Sequence, residues 1–206
     1  MGIKAISKAD FDKIIKIKFD NILEGFDKFN YVELYSRKDK EKIEIEEDFI
    51  KTLESFFYLN YDENKIIVDF YKNKLDKDSI EFIENNLDLE EIKIFNEILN
   101  SGTINDMFFE ISDKKYIKLL TKLCTRELFF ITFYFTKGPV TIWGNYNLKF
   151  PLFYDKDNIY EGNIKNYFNI AKSNNLLWIF LVHKLYLVII IISVNYYISG
   201  CYLWIS

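Results

Sequence analysis

The stretch from Leu128 to Tyr154, LFFITFYFTKGPVTIWGNYNLKFPLFY, constrains the fold of this chain more than any other. In its first half, the odd positions from Phe129 to Phe135 are all large and apolar, whereas the even positions mix hydroxyl groups with aromatic rings. In its second half, the apolar pattern moves to the even positions from Ile142 to Leu152. Because side chains of a strand point alternately to opposite faces, each half predicts a β-strand with one buried face.

The two halves meet at Lys137-Gly138-Pro139. Gly138 can adopt positive φ, and Pro139 has no N–H to give to a strand ladder. We therefore predict a long β-hairpin over about 128–154 as the centre of the fold. Pro151 lies near the end of the second arm, where we expect an edge or a bulge.

Periodic segments on both sides of the hairpin complete the fold prediction. Apolar residues at three- and four-residue spacing predict helices over 8–24, from 49 onwards, twice between 78 and 100, from 113 onwards and over 164–171. Short apolar runs predict strands over 31–35, 66–70 and 107–111. Since helices and strands alternate irregularly and the clearest strand pair is antiparallel, the sequence predicts an α+β fold with a mainly antiparallel sheet, flanked by amphipathic helices.

Composition narrows the classes of function. Half of the 206 residues are hydrophobic and 18% are aromatic, which is typical of a folded domain rather than a disordered chain. The net charge is −4, so the chain lacks the basic surface that binding to a phosphate backbone requires. We therefore expect no nucleic-acid partner.

The sequence offers no signature of catalysis or metal binding. Cys124 and Cys201 are far apart, and His183 is the only histidine. No Gly-rich phosphate loop, G-x-S-x-G or H-E-x-x-H segment occurs. We predict no catalytic residue, no metal site and no cofactor.

The composition changes abruptly at Ser173. Residues 173–206 contain Lys184 and no other charged side chain, although the whole chain has 31 acidic and 27 basic residues. The sequence thus predicts one globular α+β domain over 1–172 and an apolar tail over 173–206. Residues 185–205 carry no charge at all, and that length suits a membrane-spanning helix.

Three interpretations of the tail remain open. The preferred one is a C-terminal membrane anchor through 185–205, with Lys165, Lys172 and Lys184 placing the preceding domain in the cytoplasm. In the second, one or two buried strands complete the sheet, as the Ile, Val and Tyr content favours. In the third, the frequent Ile, Asn, Lys and Phe residues indicate an AT-rich, bacterium-like gene. A frameshift near the end of that gene then produces the tail, which has no function of its own.

A recognition surface is predicted on the hairpin. Trp143, Asn145, Asn147 and Lys149 alternate along the second arm and share the face opposite the apolar one, and Tyr134 lies on the amphipathic face of the first arm. Aromatic anchors beside adaptable polar groups concentrate binding energy in protein interfaces. The alternative is that a helix covers this face and that Trp143 belongs to the core.

Two hypotheses about function follow. The first is a non-enzymatic domain that binds a protein partner, such as an immunity-type inhibitor of a basic toxin, with the hairpin face as its surface. The second is an enzyme built from scattered Tyr, Arg and Glu residues. A deep cleft shared by Arg126, Glu127, Tyr134, Trp143 and Asn145 would favour the enzyme, and a flat exposed face would favour the binding domain.

Overall fold

An eight-stranded antiparallel sheet organises the part of the chain that the computed structural model describes, which is residues 2–37, 39–61, 65–145, 147–156 and 162–180. Its strands, in sheet order, are β1 (Ile3–Ile6), β4 (Phe108–Ile111), β3 (Ile66–Asp69), β5 (Thr132–Phe135), β6 (Val140–Trp143), β7 (Lys149–Tyr154), β2 (Asn30–Tyr35) and β8 (Leu177–Phe180). Every neighbouring pair is antiparallel. The predicted α+β class is therefore confirmed.

Five helices pack on one face of the sheet. They are α3 (Lys42–Asn60), α4 (Lys77–Glu84), α5 (Leu89–Leu99), α6 (Lys114–Thr125) and α7 (Gly162–Ser173). Their apolar sides and the sheet enclose one cluster of buried side chains, the main core, whose largest members include Phe49, Phe56, Tyr116 and Tyr167. The predicted pair of helices between 78 and 100 is confirmed, including the capping box of Asp88 and Glu91.

Two short helices, α1 (Lys8–Ile14) and α2 (Ile22–Lys28), pack against the opposite face of the sheet. They form two small apolar clusters there, one around Phe11 and Tyr134 and one around Phe26 and Phe153. We call this side of the sheet the second face. Among the described residues, only these two short helices cover it, and their clusters are separate.

The alternation predicted for the hairpin is confirmed. Ile131, Phe133 and Phe135 lie in the main core, and so do Ile142 and Leu152 of the second arm. The predicted turn connects β5 to β6 and contains Gly138, whose φ is 60°. The second arm, however, is two strands: β6 ends at Trp143, and β7 begins at Lys149 and turns back along it.

Local geometry explains why the second arm is interrupted. A Cβ on Gly144 would lie 2.4 Å from Cys124 Sγ and 2.7 Å from the carbonyl oxygen of Ile131, so only glycine fits at this approach of backbone to α6. Asn147 and Leu148 then have φ of 61° and 54°, which makes a tight reversal into β7. Pro151, expected at an edge or a bulge, instead lies in an interior strand opposite Glu33 of β2; it is one residue beyond the last β6–β7 pair, Ile142 with Leu152, so the β6 ladder has already ended there.

The single helix predicted over 8–24 is wrong. The chain instead leaves α1 at Ile15 and enters α2 after Asn21, whose side chain accepts the N–H of Glu24. Gly25, which follows the predicted helix, lies within α2, where a Cβ would meet the ring of Phe19 at 2.9 Å. Residues 15–21 form neither helix nor strand, and within them Ile15 and Ile17 fill different apolar clusters on the second face.

Two other differences concern the ends of segments. Helix α3 begins at Lys42 rather than near 49, because Glu41 and Glu44 form a capping box within the highly charged segment 37–48. Strand β1 was not predicted; its four residues pair with β4, from Ile3 opposite Ile111 to Ile6 opposite Phe108.

The sheet continues past the change in composition at Ser173. Strand β8 pairs with β2, and Trp178 stacks on Phe168 with ring centroids 5.3 Å apart. Residues 177–180 thus belong to the sheet. The candidate membrane span at 185–205 lies outside the described residues. Within the described ranges, no helix combines the length and apolar character needed to cross a bilayer.

Candidate functional site

A cleft of about 710 Å³ lies between the second face and the segment that carries α1 and α2. The break between these helices opens it, because residues 18–21 form part of its rim instead of continuing over the sheet. Its floor comes from three neighbouring strands, which contribute Asp69, Thr132, Tyr134 and Trp143.

Asp69 is the most unusual group in this floor. It is the last residue of β3, and only 5% of it is exposed. Its Oδ1 accepts the backbone N–H of Thr132 at 2.6 Å, and its Oδ2 accepts the hydroxyl of Tyr134 at 3.3 Å. Burial raises the pKa of Asp69 to about 6, against the opposing effect of these hydrogen bonds. A buried carboxylate that titrates near neutral pH is therefore placed at the base of the cleft.

Aromatic rings form much of the cleft wall. Phe11 of α1 stacks on Phe108 of β4 with centroids 3.8 Å apart and meets the ring of Tyr134 edge-on at 4.9 Å. On the other side, Phe130 and Trp143 stack with centroids 6.1 Å apart. Trp143 is half-buried and Phe130 is exposed, so this pair presents apolar surface to the cleft.

The rim is charged, and most of its charges are paired. Lys18 Nζ lies 3.1 Å from Asp12 Oδ1, and Lys8 Nζ lies 3.6 Å from the same oxygen. Lys28 pairs with Glu24 one turn earlier in α2. These partners hold the pKa of Asp12 and that of Glu24 below their usual range, chiefly through hydrogen bonds from Lys18 and Lys28.

Two of the residues predicted for binding lie in this cleft. Tyr134 is buried in the floor, and burial raises its pKa well above that of an ordinary tyrosine. Trp143 stands beside it on the adjacent strand, where Thr132 is its paired residue. Helices α1 and α2 do cover part of this face, yet Trp143 keeps some exposed surface.

The other three predicted residues lie elsewhere. Lys149 is on the second face but pairs with Glu33 Oε1 at 3.1 Å. Asn145 and Asn147 belong to the connection between β6 and β7, so they do not continue the row of Trp143. The backbone N–H of Asn147 is bound by Glu127 Oε1 at 2.9 Å.

Arg126 and Glu127 are not part of the cleft either. They border a separate hollow of about 500 Å³ beside the N-terminal end of α3. Arg126 binds the buried Glu46 through two hydrogen bonds of 2.9 Å and the carbonyl oxygen of Asn86 through a third at 2.8 Å. The cluster proposed for an enzyme therefore divides, with Tyr134 and Trp143 in one site and Arg126 and Glu127 in another.

Sequence reasoning missed the central residue of the site. Asp69 ends the apolar run Ile66-Ile67-Val68, and a lone acid at the end of a fully buried strand was the available signal. Asp20, on the rim of the cleft, was not identified as a site residue because the sequence predicted a continuous helix there. Neither residue could be placed beside Trp143 without the sheet order, since they are distant in sequence.

The thiol of Cys124 is a further reactive group in the described part of the chain. Cys124 is buried in the main core, and burial raises the pKa of its thiol far above the usual range. Across the described ranges, no three His, Cys, Asp or Glu side chains lie close enough together to hold a metal ion. Comparisons of the chain with protein-family models, with curated proteins and with solved structures found no match.

Proposed function

We propose that this chain is a non-enzymatic binding domain that holds a segment of a protein partner in the cleft of the second face. One observation carries the proposal: the stacked pair of Phe130 and Trp143 leaves aromatic surface uncovered beside a floor that contains a buried carboxylate. Concave sites with apolar walls and few polar groups are the usual form of ligand sites, and partly exposed tryptophan is a frequent anchor of interfaces.

An inhibitor of a basic toxin is one form that such a function takes. The chain has a net charge of −4, and opposite charge speeds the encounter with a basic partner. A membrane anchor at 185–205 would bring the binding domain to a membrane surface. That segment lies outside the described residues, and its role stays a prediction.

A peptide selection tests the proposed site without knowledge of the natural partner. Random peptides displayed on phage are selected on the full chain, and the binders are titrated into ¹⁵N-labelled protein. We expect shift changes around Thr132, Tyr134 and Trp143, and an affinity loss of about tenfold or more in Trp143→Ala. Tyr58→Ala, which removes an exposed ring on the far side of the sheet, is the matched control and should change nothing.

Selected peptides that bind outside the cleft, or that bind Trp143→Ala with unchanged affinity, would remove the proposed site. Circular dichroism of Trp143→Ala establishes that the variant is folded before affinities are compared.

A second candidate function is acid–base catalysis, which one observation favours. The pKa of Asp69 is raised to about 6, in the range that a general acid or base needs near neutral pH. The same peptides distinguish the two functions. Incubation with the protein should leave them chemically unchanged for a binding domain, whereas a product in the mass spectrum that Asp69→Asn does not form would establish catalysis.

A further inference from the structure

We propose that the cleft selects a cationic group, the ammonium of a lysine side chain or the guanidinium of an arginine side chain, which binds against Asp69 between the aromatic walls. This inference rests on the proposed function and adds the chemistry of the ligand.

The charges around the cleft leave a negative excess inside it. Its three lysines, Lys8, Lys18 and Lys28, are held by Asp12 and Glu24 on the rim. The two other carboxylates that line the cleft are Asp20 and Asp69, and neither forms an ion pair with any Lys or Arg in the described ranges. A cation entering the cleft therefore meets carboxylates that are not already neutralised.

Asp69 also has acceptor capacity left for a ligand. A carboxylate offers about four lone-pair positions. The N–H of Thr132 and the hydroxyl of Tyr134 occupy one position on each oxygen, and the hydroxyl of Thr132 also acts on this carboxyl. A donor from the cleft can take another, and a charged donor compensates most for the water that this buried group has lost.

The aromatic walls suit the same kind of ligand. A cation within about 6 Å of a ring centroid is attracted to the ring face. The protein shows this at the mouth of the cleft, where Lys8 Nζ lies 5.8 Å from the centroid of Phe11 and 5.7 Å from that of Phe108. Phe130 and Trp143 offer further ring surface in the same cleft.

A neutral or anionic head group fits these surroundings less well. An anion would enter a cleft in which four carboxylates outnumber three lysines. An apolar group would gain from the rings but would leave Asp69 buried without a charged partner. The occupant we commit to is a lysine or arginine side chain of a protein partner.

The test compares probes that differ only in their head group. N-acetyl amides of arginine, lysine, norleucine and glutamate are titrated into the full-length protein at pH 7.5, and binding is followed by NMR shifts of Thr132 and Trp143. We expect the two cationic probes to bind at least about tenfold more tightly than norleucine, and glutamate to bind least.

Variants of Asp69 and Asp20 test whether these carboxylates cause the preference for cationic probes. In Asp69→Asn, the preference for cations over norleucine should fall to about twofold or less, while norleucine itself binds as before. Asp20→Asn, an exposed change on the rim, should lower the preference by about two- to threefold and keeps the test informative if Asp69→Asn does not fold. Asp39→Asn, an exposed acid outside the cleft, is the matched control and should have no effect.

The outcomes separate this inference from the proposed function. Cationic probes that bind no more tightly than norleucine would overturn the inference, and so would a preference that persists in both Asp69→Asn and Asp20→Asn. Selected peptides that bind in the cleft through uncharged residues would overturn it as well, yet leave the binding function standing. If no peptide binds in the cleft, both fail.

Discussion

The two faces of the sheet differ in how completely they are covered. Five helices seal the main core, where Phe56, Phe133 and Phe150 have no exposed surface. On the second face, two seven-residue helices leave a cleft between them and the sheet. The comparison teaches that one face supplies most of the apolar burial that stabilises the fold, so the other can keep uncovered aromatic and charged groups.

A buried polar network on the main-core side contrasts with Asp69. Beneath the main-core helices, Asn60 binds the N–H of Lys137 and donates to the hydroxyl of Tyr167, which in turn donates to the carbonyl oxygen of Lys137. All of these side chains hydrogen-bond while neutral. Asp69 on the second face is instead a group whose charge opposes its burial. A polar group that serves stability is fully satisfied by the fold, whereas Asp69 gains from an external partner.

The largest effect is expected for a truncation in the main core. Phe56→Ala should lower the free energy of unfolding by about 3–5 kcal/mol, because it removes a ring packed edge-on against Phe135 and Tyr167 and leaves a cavity. Phe130→Ala on the second face, where the ring is 37% exposed, should cost about 1 kcal/mol at most. Urea denaturation measures both, and equal losses would refute the difference between the faces.

The second effect is the pH dependence that Asp69 imposes. Its raised pKa means that the folded chain holds this proton more tightly than the unfolded chain does. The resulting stability is fully present below the ordinary aspartate pKa near 4 and is lost as the pH rises through about 6. The free energy of unfolding of the wild type, relative to Asp69→Asn, should therefore fall by about 3 kcal/mol between pH 4 and pH 8.

The comparison with Asp69→Asn isolates this one group. Acids with lowered pKa values, such as Asp76 and Asp106, act in the opposite direction but are common to both proteins. Tyr71, Tyr134 and Cys124, whose pKa values are raised mainly by burial and further by the charge of Asp69, keep their protons throughout this range. Denaturation curves that differ by a constant amount from pH 4 to pH 8 would show that Asp69 is not perturbed.

The third and smallest effect concerns ion pairs on the two sides of the sheet. Arg126→Met should destabilise by about 2 kcal/mol, because it leaves Glu46, which is almost fully buried, without its bidentate partner. Lys28→Met breaks an exposed pair with Glu24 in α2 and should give no measurable change. Thermal unfolding of the two variants tests this order, and the reverse order would contradict it.

Local sequence patterns were sufficient for most individual elements. The alternation around Phe133 and Ile142 identified the strands of the hairpin, and the capping residues Asp88 and Glu91 located the start of α5. The prediction failed where two local signals competed. Apolar spacing favoured one helix over 8–24, whereas the cap at Asn21 and the burial of Ile15 and Ile17 in separate clusters divide it.

The candidate site could be predicted only in part. Trp143 and Tyr134 were recognisable as aromatic side chains on the less apolar faces of their strands. Asn145, Asn147 and Lys149 were grouped with Trp143 because the alternation was continued past Gly144, where the strand in fact ends. No local pattern in the sequence indicates that Gly144 contacts α6. The helix residue that it meets, Cys124, lies twenty positions earlier in the chain.

The sequence by itself determined which segments become helices and strands and which of their sides are apolar, since those properties depend on neighbours along the chain. The order of the strands, the place of β8 beside β2 and the juxtaposition of Asp69, Tyr134 and Trp143 were decided only by the tertiary structure. The physical reason is that burial belongs to the surroundings of a residue. Asp69 acquires its raised pKa through burial, and its hydrogen-bond partners Thr132 and Tyr134 lie on β5, far from it in sequence.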